Sequence, residues 1–196
     1  MACQESRGIR ARNMLYIIGT HHWTQCIYNT DKMNRMCRVE EFAAYLRNEA
    51  TRLRIKALAE ELSEEAIAKY HGVDSNARRV ARDLGITHIL CDLDSDQRKA
   101  LGIPSTEEII EKIGYGAHDG LDPEATRLLN EEEQKYWEIR EEYWFNCISD
   151  RLQDMVLFVC GERHIRRLEN LVVQHGHQAQ VLIENWYADP DQIIPR

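Results

Sequence analysis

Two short motifs in the chain place a histidine three residues after a glycine. Residues 19–22 read Gly-Thr-His-His, and residues 161–164 read Gly-Glu-Arg-His. Each glycine follows an apolar run, where the absence of a side chain lets the backbone turn sharply. The last histidine of each motif, His22 or His164, then begins the next element. A neutral imidazole in such a position can bind a divalent metal ion or accept a proton from water.

Carboxylates stand at the ends of two other apolar runs. Glu60 and Glu61 follow the run that begins at Ile55, and Asp92 follows the run over residues 87–91. Because ligands bind outside the carboxyl ends of parallel strands, we expect these acids to meet the two histidines along one rim. Turn formation and helix capping are the competing roles for the same acids. Either glutamate satisfies the pattern, so the sequence leaves the choice between them open.

The elements that position these residues alternate between apolar runs and helical patterns. The near-continuous character of the runs predicts strands that are covered on both faces. The alternation predicts an α/β fold, a mostly parallel five- to six-stranded sheet flanked by helices. The predicted strands are residues 14–19, 55–60, 87–91, 155–160 and 180–183. The predicted helices are residues 39–54, 63–72, 76–84, 104–114 with a stop in the 114–116 glycine region, 122–152 with room for one break, and 164–175.

Composition sets the broad class of the protein. The 196 residues are 43% hydrophobic, enough for a single domain over residues 1–196, with residues 1–12 expected to be flexible. The net charge of −8 argues against a nucleic-acid partner. No apolar run approaches the roughly 20 residues that cross a bilayer, and no signal peptide is recognisable. Six cysteines without a Cys-x-x-Cys pair fit a reducing compartment, so we expect a cytoplasmic protein.

The two histidine motifs resemble those of a known family. Residues 15–22 are similar to the N-terminal Gly-Thr-x-His signature of the TraB/Tiki family, and residues 156–164 are similar to its C-terminal Gly-x-x-His. Erythromycin esterase-like and ChaN-like proteins belong to the same broad superfamily. The resemblance covers both ends of the chain, whereas residues 63–130 match only in outline.

Three further positions match the family pattern. The family carries a glutamate at the end of its second strand, where Glu60 and Glu61 stand here. It often carries an arginine on the helix before the last motif, and Arg140 stands in that place. Glu162 matches the glutamate of the Gly-Glu-x-His sequence found in the esterase-like branch.

The resemblance implies a metal-dependent hydrolase that cleaves an amide or ester bond in a small-molecule or peptide substrate. His22, His164 and Glu61, or Glu60 in its place, would hold a divalent ion (Mn, Co or Zn) or activate water directly. Arg140 would stabilise the developing oxyanion, with Asp92 and Glu162 in the same site. The alternatives are a non-catalytic module that binds haem or another small ligand, as in the ChaN-like branch, and a regulatory or interaction protein. Each of these three functions is compatible with a protein that forms a homo-oligomer.

Overall fold

The computed structural model describes residues 14–115 and 122–186, and it confirms the α/β class. The expectations for residues 1–12 and for Gly116 lie outside these described residues. The described part contains seven strands. In chain order they are β1 Met14–Gly19, β2 Cys26–Tyr28, β3 Ala57–Glu60, β4 Gly72–Ser75, β5 Thr87–Leu90, β6 Val156–Cys160 and β7 Gln178–Ile183.

Five of these strands form one parallel sheet, in the order β5-β3-β6-β1-β7. The two strands that end in Gly-x-x-His motifs, β1 and β6, are direct neighbours, with Gly19 opposite Cys160. Because β3 pairs with the other side of β6, the ends of β1, β6 and β3 lie side by side. The remaining two strands, β2 and β4, form a separate antiparallel ribbon.

Helices connect the strands and cover both faces of the sheet. The described helices are α1 His22–Gln25, α2 Asp31–Met36, α3 Val39–Leu53, α4 Glu64–Lys69, α5 Asn76–Leu84, α6 Ser95–Ala100, α7 Thr106–Lys112, α8 Pro123–Gln134, α9 Trp137–Ile148 and α10 Ile165–Gln174, with 3₁₀ turns at Ser149–Asp154 and Glu162–His164. The predicted long helix over residues 122–152 is broken once, between α8 and α9, and its end tightens into a 3₁₀ turn.

Sequence signals located most helix ends. Ser63 accepts a hydrogen bond from the backbone amide of Ala66, as an N-cap does, and Asp122 caps α8 with a proline at its first position. The helix predicted to run to Gly72 ends instead at Lys69, because the chain turns there and His71 takes a left-handed conformation with φ 57°. The ribbon of β2 and β4 was not predicted, because β2 has only three residues and β4, with the sequence Gly-Val-Asp-Ser, is not an apolar run.

The strands of the sheet are apolar on both faces because each face carries a helical layer. Phe158 and its neighbours pack beneath α9 and α10, where Trp144 is the largest fully buried side chain. Leu157 and Val159 of the same strand point to the opposite layer, formed by α3 and α5. This double coverage explains the unbroken apolar run in the sequence of β6.

The two motif glycines meet different surroundings, which leads to a stability prediction. A Cβ atom on Gly19 would lie 1.8 Å from the carbonyl oxygen of Glu184 and 2.3 Å from Cδ1 of Ile165. Because the backbone at Glu184 cannot move aside without disturbing the packing around it, we expect Gly19→Ala to lower the free energy of unfolding by about 3 kcal/mol or more. Urea denaturation followed by circular dichroism measures this loss.

The matched control is Gly161→Ala. A Cβ at Gly161 would meet its nearest neighbour, Oε2 of Glu61, at 3.4 Å, which is ordinary contact. Gly161→Ala is therefore expected to unfold close to wild type. Equal unfolding midpoints for the two variants would contradict the steric account of Gly19.

Candidate functional site

A cavity of about 780 Å³ opens at the carboxyl ends of the parallel strands. Its wall brings together five residues that the sequence nominated from five separate segments of the chain. They are His22, Glu61, Asp92, Arg140 and His164. Four of them follow strand ends and lie at one rim, as parallel topology requires, whereas Arg140, nominated by the family resemblance, reaches the cavity from α9.

Glu61 lies at the centre of the cluster, with only 1% of its side chain exposed. Its Oε2 accepts a hydrogen bond from the backbone amide of Gly161 at 2.7 Å, and its Oε1 accepts one from Nη2 of Arg140 at 2.9 Å. The Nε2 atoms of His22 and His164 stand 3.5 and 3.6 Å from the same Oε1. Burial raises the pKa of Glu61, but the surrounding imidazoles and guanidinium outweigh it and hold the pKa well below its usual range. The carboxylate is therefore ionised at neutral pH.

His164 is held through its other ring nitrogen. Its Nδ1 lies 2.8 Å from Oε1 of Glu141, and Oε2 of Glu141 accepts a hydrogen bond from Nε of Arg167 at 2.8 Å. Trp137 and Trp144 pack edge-on against the imidazole, with ring centroids 4.8 and 5.0 Å away. Because the carboxylate of Glu141 accepts the Nδ1 proton, these hydrogen bonds assign the neutral ring a lone pair at Nε2, on the side of Glu61.

His22 is held by a phenol instead of a carboxylate. The hydroxyl of Tyr70 lies 3.1 Å from Nδ1 of His22, and the two rings stack at 5.4 Å. Burial and the negative charge of Glu61 raise the pKa of Tyr70 to about 12, so the phenol keeps its proton. Burial lowers the pKa of His22, but attraction and hydrogen bonding to Glu61 outweigh it, so the pKa is raised above 6.5. His22 thus carries a proton more readily than a free imidazole does.

Asp92 positions Arg140 beside Glu61. Oδ1 of Asp92 accepts hydrogen bonds from Nε and Nη2 of Arg140 at 3.2 and 3.1 Å. The same oxygen accepts from the indole of Trp144 at 3.2 Å, while Oδ2 accepts from Nη2 of Arg98 at 2.6 Å. Burial lowers the pKa of Arg140, but Asp92 and Glu61 outweigh it and raise it, so the guanidinium remains charged.

The remaining candidates lie away from this cluster. Glu60 is fully buried on the other side of the strand end, where its Oε1 is 2.7 Å from Nε2 of His88 and accepts from the hydroxyl of Ser75. Of the two glutamates, Glu61 is therefore the one that lies beside the two histidines. Glu162 lines the outer cavity, where it is exposed and accepts a hydrogen bond from Nδ2 of Asn185 at 2.5 Å.

Two members of the cluster, Glu141 and Tyr70, were missed by the sequence reasoning. A signal for Glu141 existed, because Trp137, Arg140, Glu141 and Trp144 follow the i, i+3, i+4, i+7 spacing of one helix face. The spacing of the two tryptophans was interpreted as packing alone. No comparable signal marks Tyr70, which α4 and the β2–β4 ribbon bring to the cavity.

The donor set does not fit the divalent metal centre that the family resemblance implies. Within residues 14–115 and 122–186, no group of three histidine, cysteine or acidic side chains is arranged to hold a metal ion. The Glu61 oxygen that faces both imidazoles already accepts a hydrogen bond from Arg140, and that positive charge would repel a second cation. The arrangement favours direct acid–base chemistry by the imidazoles.

Comparison with known proteins identifies no relative. No family model matches the chain, and neither the curated proteins nor the solved structures include a significant match. The TraB/Tiki resemblance therefore rests on the motifs alone. In the part of the chain that the structure describes, no helix has the length and apolar character needed to span a membrane.

The charge of Glu61 leads to a prediction about His22. Because that carboxylate raises the pKa of the imidazole, Glu61→Gln should lower it. The measurement is an NMR titration of histidine ring signals, with the His22 resonance assigned by its absence in His22→Gln. Glu65→Gln is the control, since Glu65 lines the same cavity but bonds to Ser95. An unchanged or increased His22 pKa in Glu61→Gln would contradict the proposed electrostatic link.

Proposed function

We propose that this chain is a hydrolase that adds water across an ester or amide bond of a small-molecule or peptide substrate. One observation carries the proposal: two imidazoles, one held at Nδ1 by the half-buried Tyr70 and the other by the buried Glu141, direct their Nε2 atoms at one ionised carboxylate in a large cavity. Such a set can take a proton from water and return one to a leaving group. The volume of about 780 Å³ falls in the range of sites for drug-sized ligands.

His164 is the general base in this proposal. A water molecule near Glu61 attacks the substrate carbonyl carbon while its proton moves to Nε2 of His164. The imidazolium that forms lies between Glu141 and Glu61, whose negative charges stabilise it. This is the role that an acidic partner at Nδ1 gives to a catalytic histidine.

His22 is the general acid. Its raised pKa keeps a proton available at Nε2, which passes to the leaving oxygen or nitrogen as the ester or amide bond breaks. Arg140 lies in the cavity wall, fixed by Asp92, and its positive charge stabilises the oxyanion of the tetrahedral intermediate. Proton exchange with solvent then returns both histidines to their starting states.

Removing either imidazole should abolish most of the activity. We expect His22→Ala and His164→Ala to reduce kcat/KM by about 100-fold or more on whichever substrate of a p-nitrophenyl ester and fluorogenic peptide panel the wild type cleaves. His175→Ala is the matched control, because His175 stacks on Phe145 away from the cavity. Retention of wild-type rates by both site variants would overturn the proposal.

Metal content distinguishes direct acid–base catalysis from the metal-dependent form implied by the resemblance. Because the guanidinium of Arg140 occupies the shared oxygen of Glu61, we expect less than one divalent ion per chain and no loss of activity on dialysis against EDTA. Elemental analysis by mass spectrometry provides the measurement. One bound ion that disappears in His22→Ala and His164→Ala would contradict this expectation. A haem Soret band lost in the same variants, with no hydrolysis, would favour the binding alternative.

A further inference from the structure

Two cysteines outside the histidine cluster lie next to each other. Cys91 directly follows β5 and is fully buried, whereas Cys147 lies on α9 and is half-buried. Both pack in the core layer beneath α9, where their thiols are hydrogen-bonded to each other and are not joined by a disulfide. Two thiols in contact can be joined covalently when an oxidant reaches one of them. Because Cys147 is the more exposed of the two, an oxidant would meet it first.

Cys147 has a second polar neighbour on its own helix. Tyr143 precedes it by four residues, about one helical turn, and the two side chains are hydrogen-bonded. The hydroxyl oxygen of Tyr143 accepts a hydrogen bond from Nε2 of Gln97 at 3.2 Å, which leaves the hydroxyl proton for the sulfur of Cys147. That sulfur therefore has two donors beside it, the thiol of Cys91 and the phenol of Tyr143.

These two hydrogen bonds favour the thiolate form of Cys147. The hydrogen bond from Cys91 has the largest effect and, together with the one from Tyr143, lowers the pKa of Cys147 to about 7, against the opposite effect of burial. Burial raises the pKa of Cys91 well above its usual range, so that thiol keeps its proton and remains a donor. A substantial fraction of Cys147 is thus thiolate at neutral pH, and the thiolate is the form that attacks disulfides.

We propose that Cys147 and Cys91 form a redox modification site, which takes a low-molecular-weight disulfide as its oxidant and closes an intrachain disulfide. The thiolate of Cys147 attacks one sulfur of the small disulfide, so that a mixed disulfide forms and the other half leaves as a thiolate. The sulfur of Cys91 then attacks Sγ of Cys147, and its proton passes to the second departing thiolate. Two protein thiols are oxidised to one disulfide, and the small disulfide is reduced to two thiols.

The new bond would lie beside the candidate site, although its formation does not depend on the proposed hydrolysis. Asp92, the residue after Cys91, accepts hydrogen bonds from Arg140. Arg140 lies about two helical turns before Cys147 on α9. The disulfide would therefore join covalently the same two segments that the ion pair of Asp92 and Arg140 already joins.

Oxidised glutathione tests the proposal on the folded protein, in a Cys3→Ser background because Cys3 lies outside the described residues. Mass spectrometry should show the loss of two hydrogen atoms, and peptide mapping should place the new bond between Cys91 and Cys147. Cys91→Ser should instead accumulate a glutathione adduct at Cys147, and Cys147→Ser should stay unmodified. Cys160→Ser is the matched control, since Cys160 is fully buried with a raised pKa, and it should form the bond as wild type does.

The pH dependence of alkylation gives a second readout. The rate at which iodoacetamide modifies Cys147 should reach half its maximum near pH 7, compared with about 8.5 for a free thiol. Tyr143→Phe keeps the ring and removes one donor, so its midpoint should move to higher pH. A midpoint like that of a free thiol in wild type, or no shift in Tyr143→Phe, would contradict the activated thiolate.

The glutathione experiment has two outcomes that would overturn the proposal. One is a wild-type protein that stays reduced or keeps glutathione on Cys147 without forming the second bond. The other is a disulfide that joins a different pair of cysteines. Circular dichroism spectra that match wild type show that Cys91→Ser and Cys147→Ser are folded, and the wild-type mass, peptide map and alkylation profile decide the question should either variant fail to fold.

Discussion

The site depends on one buried ion pair, between the carboxylate of Glu61 and the guanidinium of Arg140. Moving a lone carboxylate from water into a protein interior costs several kcal/mol, even after the protein relaxes. Here the guanidinium offsets that cost together with the amide of Gly161, which supplies a hydrogen bond from the backbone. Because Arg140 and Gly161 belong to different elements, the charge at the end of β3 ties α9 to the end of β6.

Burying the positive charge of Arg140 also costs free energy, and the ion pair with Asp92 offsets part of that cost. The carboxylates of Glu61 and Asp92 both balance the charge of Arg140. Arg98 and the indole of Trp144 donate further hydrogen bonds to Asp92. Removing one member of such a chain leaves an uncompensated buried charge, at a cost of about 3–5 kcal/mol. The cluster therefore holds its geometry as a unit, which fixes the positions of Glu61 and Arg140 relative to the two imidazoles.

Much of this arrangement follows from local pattern and one topological rule. Apolar runs locate β1, β3, β5 and β6, and parallel pairing brings whatever follows them to one rim. That is sufficient to nominate His22, His164, Asp92 and one of the two glutamates. The choice between Glu60 and Glu61 was not predictable, because successive residues of a strand point to opposite sides and a shift of one residue exchanges them.

Other parts of the site depend on contacts that sequence pattern does not record. Tyr70 reaches His22 because the β2–β4 ribbon brings the end of α4 over the cavity. The sequence does not mark this ribbon, because β2 has only three residues and β4 contains no apolar run. Glu141 lay within reach of prediction. It shares a helix face with Arg140, but two tryptophans on that face gave it the character of a packing surface. A helix face that is mainly aromatic can therefore also line a candidate site when its rings enclose an imidazole.

The two histidines differ most in what holds them, and the proposed hydrolysis uses that difference to give them opposite roles. A carboxylate at Nδ1 accepts a proton, so Glu141 leaves the Nε2 of neutral His164 free to take one. The hydroxyl of Tyr70 can accept as well as donate a hydrogen bond, so it is compatible with an imidazolium at His22, whose Nε2 proton is directed at Glu61. One imidazole thus presents a lone pair and the other presents a proton to the same carboxylate. In the proposed hydrolysis the imidazole held by a glutamate is the base, and the imidazolium held by a tyrosine is the acid.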